Sequence, residues 1–212
     1  MKVAITGGIG AGKSFVCERL RLHGIEVYDC DAAAKRLMRT SHELQTELQA
    51  LVGADVFVDG VLQKAVLAKY ILGSGANALA VDDIIHPAVA RDFETSGCDW
   101  IESAIYFDSG FYRRVKIDKV VCVTAPLEVR ISRIMSRDSI SREKALEWIA
   151  RQLPQEEVVR RSDYEIVNDG QTDIDAKVAQ ILEIISTKSV SYTHLRAHET
   201  RSNIVCRLLL EK

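Results

Sequence analysis

The chain has 212 residues, 47% of them hydrophobic, and its 28 basic and 30 acidic residues give a net charge of −2. This length and composition suffice for one hydrophobic core with a small insertion. The charge balance excludes a sequence-wide basic field for nucleic acid or an anionic membrane, so affinity for phosphate must be local. We therefore expect no nucleic-acid, membrane or obligate protein partner.

The chain contains five cysteines without a C-x-x-C pair, at Cys17, Cys30, Cys98, Cys122 and Cys206. An odd, scattered set argues against a disulfide framework and indicates a reducing compartment. The segment before Gly7 is too short for a signal peptide, and no apolar run reaches the length of a membrane span. These features predict a cytoplasmic protein.

The first motif is a glycine-rich loop, Gly7-Gly8-Ile9-Gly10-Ala11-Gly12-Lys13-Ser14, which fits the pattern Gly-x-x-x-x-Gly-Lys-Ser/Thr. It follows an apolar run and precedes a helical pattern, which is the context that such a loop requires. In this kind of loop the backbone N–H groups surround nucleotide phosphates, and the lysine adds a positive charge. The hydroxyl of Ser14 is the expected ligand of Mg²⁺.

Apolar runs alternate with helical patterns through most of the chain. Five of these runs predict strands, at Val3–Thr6, Glu26–Asp29, Trp100–Phe107, Lys119–Val123 and Tyr164–Val167. The alternation predicts an α/β protein with a P-loop and three layers, in which helices cover both faces of a five-stranded parallel sheet. A final helix is expected near residues 173–186.

Two helical tracts depart from this alternation. The segment from about 31 to 97 is expected to be a helical insertion that holds the second substrate, with 1–30 and 98–188 as the core. The tract from about 126 to 155 carries Arg130, Arg133 and Arg137, whose spacing places them on one helical face. Because like charges on one face repel, an anion-binding lid is favoured over a solvated basic face. Arg137 is the expected contact to a transferring phosphoryl group.

The last segment, 189–212, breaks continuity with the sequence before it. Residues 190–200 resemble an in-frame translation of the transposase adapter used in sequencing libraries. We therefore expect the segment to be non-native, the alternative being a genuine variable extension.

Two aspartates close the second predicted strand, at the edge of the sheet where α/β proteins bind ligands. Strand alternation places Asp29 and Asp31 on the same side. Asp31 is the candidate to accept a proton from, or to orient, an acceptor hydroxyl. The alternative is that Asp31 is the N-cap of the following helix.

Four further side chains are candidates with an open alternative. Glu102 either orients substrate or a metal-bound water, or lies at a hydrated strand end. His86, expected to be extended before a proline, either holds substrate together with Arg91 or is structural. Asn168 either flanks an adenine or belongs to an ordinary turn.

Taken together, these motifs resemble the dephospho-coenzyme A kinase family of P-loop proteins. The resemblance covers residues 1–187. It rests on the loop and its strand, Asp29-x-Asp31, Ile85-His86-Pro87, the arginine-rich tract through Arg151-Gln152, and Asp163-Tyr164-x-Ile166-Val167-Asn168-x-Gly170. It implies that the γ-phosphoryl group of ATP, bound with Mg²⁺, is transferred to the ribose 3′-hydroxyl of dephospho-CoA, the last step of coenzyme A synthesis.

The resemblance also implies roles for individual residues. The catalytic set is Lys13, Asp31 and Arg137. The ATP-binding set is Gly8, Gly10, Ala11, Gly12, Lys13, Ser14, Phe15 and Asn168, although a small hydroxyl residue is common at position 15. The substrate-binding set is Asp31, His86, Arg91 and Glu102.

Two alternatives to this function are another P-loop kinase for a small molecule or nucleoside monophosphate, and a nucleotide-regulated switch. The long insertion with His86-Pro87 argues against the first. The missing Asn-Lys-x-Asp guanine motif argues against the second.

Overall fold

The structure, a computed structural model, describes residues 1–187. The predicted non-native segment, 189–212, lies outside the described residues. The described residues fall into two compact units, one of residues 2–172 and one of Met1 with residues 173–187. In the described part of the second unit, residues 174–187 are helical and the Asp173 side chain accepts the N–H of Ala176 at 3.0 Å, which confirms the predicted final helix.

The first unit contains seven strands. They are β1 (Val3–Thr6), β2 (Val27–Asp29), β3 (Phe57–Val58), β4 (Val61–Leu62), β5 (Trp100–Glu102), β6 (Lys119–Thr124) and β7 (Tyr164–Val167). Five of them form one sheet in the order β2-β5-β1-β6-β7, and every neighbouring pair is parallel. All four residues of the central β1 are buried. The predicted α/β fold with a five-stranded parallel sheet is confirmed.

Eight helices connect these strands. They are α1 (Lys13–Leu22), α2 (Cys30–Thr40), α3 (His42–Val52), α4 (Lys64–Gly73), α5 (Gly75–Thr95), α6 (Leu127–Asp138), α7 (Arg142–Ala150) and α8 (Gln155–Arg160). Among residues 1–187, no helix combines the length and the apolar composition needed to cross a membrane.

The third sheet strand is shorter than the sequence predicts, because β5 ends at Glu102 and the predicted strand continued to Phe107. Tyr106 and Phe107 lie in turns, with their ring centroids 5.0 Å apart, and both are buried in the main core. The apolar character of this run therefore comes from packing of aromatic side chains and not from pairing in the sheet.

Residues 31–97 contain most of α2 and all of α3, α4 and α5, around a separate buried cluster that includes Leu44, Leu48 and Val81. The segment also contains the antiparallel pair β3 and β4, which the sequence analysis did not predict. The turn between them is Asp59-Gly60, both at positive φ (50° and 75°), as a tight two-residue hairpin requires.

His86 and Pro87 both lie inside α5, so the expectation of an extended His86 is wrong. Proline removes one helical hydrogen bond. Buried Val81, Ala88 and Phe93 of the same helix pack into the cores on either side of this point. Tertiary packing therefore keeps the helix continuous through the proline, where the local preference alone predicted an interruption.

Gly7 generates a prediction about stability. Its φ is +143°, and a Cβ there would lie 2.1 Å from the carbonyl oxygen of Val123 in the neighbouring strand β6. Gly24 also has a positive φ, +77°, but open space around it. We expect Gly7→Ala to lower the free energy of unfolding by about 3 kcal/mol and Gly24→Ala by about 1 kcal/mol, measured by urea denaturation. Equal losses would mean that contact with β6 does not constrain the loop.

Candidate active site

The glycine-rich loop joins the end of β1 to the start of α1. Gly10 and Gly12 adopt φ of +78° and +89°, which let the chain curl tightly before the helix. The buried Lys13 begins α1, and its Nζ lies 3.5 Å from the carbonyl oxygen of Gly8. The N–H groups of the first helical turn have no partners within the helix and can hold an anion.

Side chains from α6 and from the end of β7 hold the outer side of this loop. Arg130 donates from Nε to the carbonyl oxygen of Ile9 at 2.9 Å. Arg133 donates to the carbonyl oxygens of Gly10 and Ala11 at 3.4 and 3.2 Å. Three consecutive carbonyls are therefore turned toward basic donors and away from an anion held by the loop. Two N–H groups of the loop are also bonded, that of Ile9 to Oε1 of Gln152 at 2.7 Å and that of Ala11 to the carbonyl oxygen of Gly8 at 3.2 Å.

Asn168 completes this support. Its Nδ2 donates to the carbonyl oxygen of Ala11 at 3.0 Å, and its Oδ1 accepts from Arg133 at 3.1 Å. The side chain is buried, and a Cβ on Gly12 would lie 2.1 Å from its Nδ2. Both ends of the amide are therefore committed to the loop, which does not support the expected contact with adenine.

Beside the loop lies a cavity of about 420 Å³. It brings together eight candidate residues named from the sequence: Gly10, Gly12, Lys13, Ser14, Asp31, Glu102, Arg133 and Arg137. Strand register explains part of this convergence, because Glu102 ends β5 level with Ile5 of β1 and Asp29 of β2. The carboxyl ends of three parallel strands thus meet at the loop.

The charges in the cavity perturb one another. Burial lowers the pKa of Lys13, and this is opposed by the nearby carboxylates of Glu102 and Asp31. Burial raises the pKa of Glu102, and Lys13 opposes that shift. The cavity therefore contains a cation that can meet phosphate and carboxylates that can meet a hydroxyl.

The two aspartates after β2 have different positions. Asp29 is the N-cap of α2, since its Oδ1 accepts the N–H of Ala32 at 2.9 Å. Asp31 is the second residue of the helix, in its first turn, and lines the cavity. The N-cap alternative for Asp31 is therefore wrong, and so is the argument from strand alternation, because the strand ends at Asp29.

The three arginines of α6 also differ. The sequence analysis expected an anion to neutralise their shared face, but Arg130 and Arg133 are satisfied by carbonyls of the loop. Arg137 lines the cavity and is paired with Asp138, with Nη2 and Oδ2 2.7 Å apart. Arg133 and Arg137 both line the cavity, and Arg133 is the one whose guanidinium is also bonded to the loop.

Other candidates do not line the cavity. Phe15 is 40% exposed beneath the guanidinium of Arg19, which lies 4.5 Å from the ring centroid. Arg91 lies 3.6 Å from Glu43 on the surface. Gly8 and Ala11 form the body of the loop, where a Cβ on Gly8 would lie 2.4 Å from Nη2 of Arg130.

His86 is enclosed within the helical segment. Its Nε2 lies 3.6 Å from Oδ1 of Asp82, and its ring packs edge-on against Phe111 with centroids 6.5 Å apart. Burial lowers its pKa, and Asp82 opposes that shift. Its buried Nδ1 has no hydrogen-bond partner among the described residues, so the structure does not choose between the structural and the substrate-binding alternatives for His86.

The contacts of Arg130, Arg133 and Gln152 with the loop were not predicted from the sequence. Gln152, between α7 and α8, accepts the N–H of Ile9 through Oε1 at 2.7 Å and lines the cavity. The helical spacing of the arginines was a usable signal for the first two. No local pattern signals that a glutamine more than a hundred residues away contacts the loop.

A parallel α/β sheet, a phosphate-binding loop at its carboxyl edge and an acid beside that loop define a P-loop phosphotransferase. Comparison with known proteins narrows the class. The family model described as dephospho-CoA kinase matches residues 1–173. The chain belongs to the dephospho-CoA kinase family.

Individual relatives agree with this assignment. The dephospho-CoA kinase of Bacteroides fragilis is 40% identical over 193 residues, covering 88% of this chain and 92% of the relative. That of Porphyromonas gingivalis is 36% identical over 197 residues, covering 88% and 95%. The crystal structure of TT1252 from Thermus thermophilus has a TM-score of 0.73 at 29% identity, covering 89% of this chain and 97% of that one.

The different positions of the two aspartates generate a prediction. Replacing an N-cap aspartate with alanine typically costs about 1 kcal/mol, so we expect Asp29→Ala to lower the free energy of unfolding by that amount. Asp29→Asn keeps a capping side chain and should cost little. Asp31→Ala removes no cap and should cost less than Asp29→Ala in the same urea denaturation. A larger loss of unfolding free energy for Asp31→Ala than for Asp29→Ala would show that Asp31, and not Asp29, caps α2.

Proposed function

We propose that this chain transfers the γ-phosphoryl group of ATP to the ribose 3′-hydroxyl of dephospho-CoA, giving coenzyme A and ADP. Family membership supports the substrate and the donor. The observation that carries the proposal at the level of residues is the convergence of Lys13, Asp31 and Arg137 on one cavity beside the glycine-rich loop.

Lys13 and the N–H groups of the loop bind the phosphates of ATP. The anchored carbonyls of Ile9, Gly10 and Ala11 keep that side of the loop away from the anion. A fixed set of donors stabilises the developing charge without reorganising during the reaction. Most of the rate enhancement then comes from positioning and electrostatics, as is general for phosphoryl transfer.

Asp31 orients the 3′-hydroxyl and accepts its proton. The hydroxyl oxygen forms a bond to the γ-phosphorus while the bond from that phosphorus to the bridging oxygen breaks and ADP leaves. Arg137 stabilises the negative charge on the transferred group. Glu102, beside Lys13, keeps the lysine protonated and helps to orient the acceptor.

The cavity also fits Mg²⁺. The hydroxyl of Ser14 and the carboxylates of Asp31 and Glu102 line it, and oxygen donors of this kind suit a hard cation. When bound, the ion neutralises phosphate charge, and Ser14 is the residue that would hold it.

The thiols support a cytoplasmic location. Cys17, Cys30, Cys98 and Cys122 are all free. Burial raises the pKa of Cys17 and Cys122 to about 12, so these two thiols are protonated and unreactive at neutral pH.

The function is tested by coupled ADP release from ATP and Mg²⁺ with dephospho-CoA or with a panel of nucleoside monophosphates. We expect turnover with dephospho-CoA and formation of coenzyme A, confirmed by mass spectrometry. Faster turnover with a nucleoside monophosphate than with dephospho-CoA would show that dephospho-CoA is not the acceptor.

A matched pair of variants controls the same assay. Asp31→Asn keeps the shape of the side chain and removes the base, so kcat should fall about a hundredfold or more while ATP affinity changes little. Asp29→Asn makes the same chemical change two residues away and should retain most of the activity. Equal kcat values for Asp31→Asn and wild type would exclude Asp31 as the base.

A further inference from the structure

Gln152 reaches the glycine-rich loop from a fixed point in the chain. Its backbone N–H donates to the carbonyl oxygen of Ile149 at 3.2 Å, at the end of α7. The next residue, Leu153, donates its N–H to Oδ1 of Asp108 at 2.8 Å. These two hydrogen bonds fix the backbone at Gln152 and Leu153, and so fix the point from which the Gln152 side chain extends.

The side chain uses only one end of its amide in the contact with the loop. Oε1 accepts the N–H of Ile9 at 2.7 Å. An amide carries two N–H donors on the nitrogen beside that oxygen. A carboxylate or an ether oxygen would satisfy Ile9 equally well, so support of the loop does not by itself explain a glutamine here.

The position of the amide suggests a use for those donors. Gln152 and Ile9 line the same cavity as Arg137 and Asp31, the two residues placed for the transferred group and for its acceptor. An anion held at this end of the loop would lie near the amide of Gln152, whose Oε1 already occupies the N–H of Ile9. With the acceptor at Asp31, the phosphate that would lie nearest to it is the terminal one.

We propose that Gln152 is a nucleotide-binding residue that donates from Nε2 to the γ-phosphoryl group of ATP and so favours ATP over ADP. The inference rests on the proposed function, because it takes ATP as the phosphoryl donor. The contact also joins the segment that follows α7 to the loop, so binding of the triphosphate would stabilise this part of the chain.

Two substitutions separate donation to phosphate from support of the loop. Gln152→Glu keeps an acceptor for Ile9 but removes both donors and adds a negative charge. Gln152→Met, of similar length, removes acceptor and donors without adding charge. Donation to phosphate predicts that the glutamate variant is the more impaired, whereas simple support of the loop predicts that the methionine variant is.

The measurement is the dissociation constant of ATP and of ADP, each with Mg²⁺, by isothermal titration calorimetry on the full chain. For Gln152→Glu we expect ATP to bind about tenfold or more weaker, since a hydrogen bond to a charged group is lost. ADP should bind within about threefold of wild type, a change of about 0.65 kcal/mol or less. The ADP result also shows that the loop is intact.

Gln155 provides the matched control. Its Oε1 likewise accepts a backbone N–H, that of Ala125 at 3.2 Å, but it does not line the cavity. Gln155→Glu should leave the ratio of ATP to ADP affinity unchanged. The role of Gln152 is wrong if Gln152→Glu binds both nucleotides as wild type does, or if both affinities fall equally.

The experiments distinguish a failure of the proposed function from a failure of the proposed role of Gln152. A wild-type protein that binds both nucleotides but does not phosphorylate dephospho-CoA would show the acceptor to be wrong, while the comparison of ATP with ADP would still test Gln152. A wild-type protein that does not bind ATP would overturn both proposals.

Discussion

The site depends on one constraint, the anchoring of three consecutive loop carbonyls by side chains that come from distant parts of the chain. Arg130 and Arg133 of α6 donate to the carbonyls of Ile9, Gly10 and Ala11. A flexible glycine-rich loop has many conformations, and an anion site needs one of them. The two arginines stabilise one conformation of the loop. They do so through charge-assisted hydrogen bonds that are partly shielded from solvent, where such bonds are strongest.

This anchoring divides the charges of the site into two groups. Arg130 is buried, and burial lowers its pKa while Glu156 opposes that shift, so its positive charge acts on the loop rather than on solvent. Lys13 and Arg137 line the cavity instead, and Arg133 belongs to both groups, because it bonds to the loop and also lines the cavity. In this chain Arg130 therefore shapes the loop without lining the cavity.

The residues that the sequence predicted correctly are those whose roles follow from local patterns. The loop motif predicted that Lys13 and Ser14 lie together, and Asp31 was expected at the sheet edge, where it lines the same cavity. The errors concern contacts that depend on tertiary packing. Packing on both sides of Pro87 kept His86 helical, and β5 ended at Glu102, short of the aromatic residues that pack in the core. Asp29, and not Asp31, is the N-cap of α2. Asn168 and Gln152 act on a loop more than 140 residues away, which no local spacing reveals.

The most direct measurement of the central claim is the ATP dissociation constant of Arg130→Met. Arg130 does not line the cavity, and its Nε is bonded to the carbonyl of Ile9, so its direct contact is with the loop. If anchoring organises the cradle, ATP affinity should fall about tenfold or more in a variant whose circular dichroism shows a retained fold. The surface variant Arg142→Met, which loses only an exposed pair with Glu128, should bind as wild type does. Unchanged ATP affinity in a folded Arg130→Met would contradict the account.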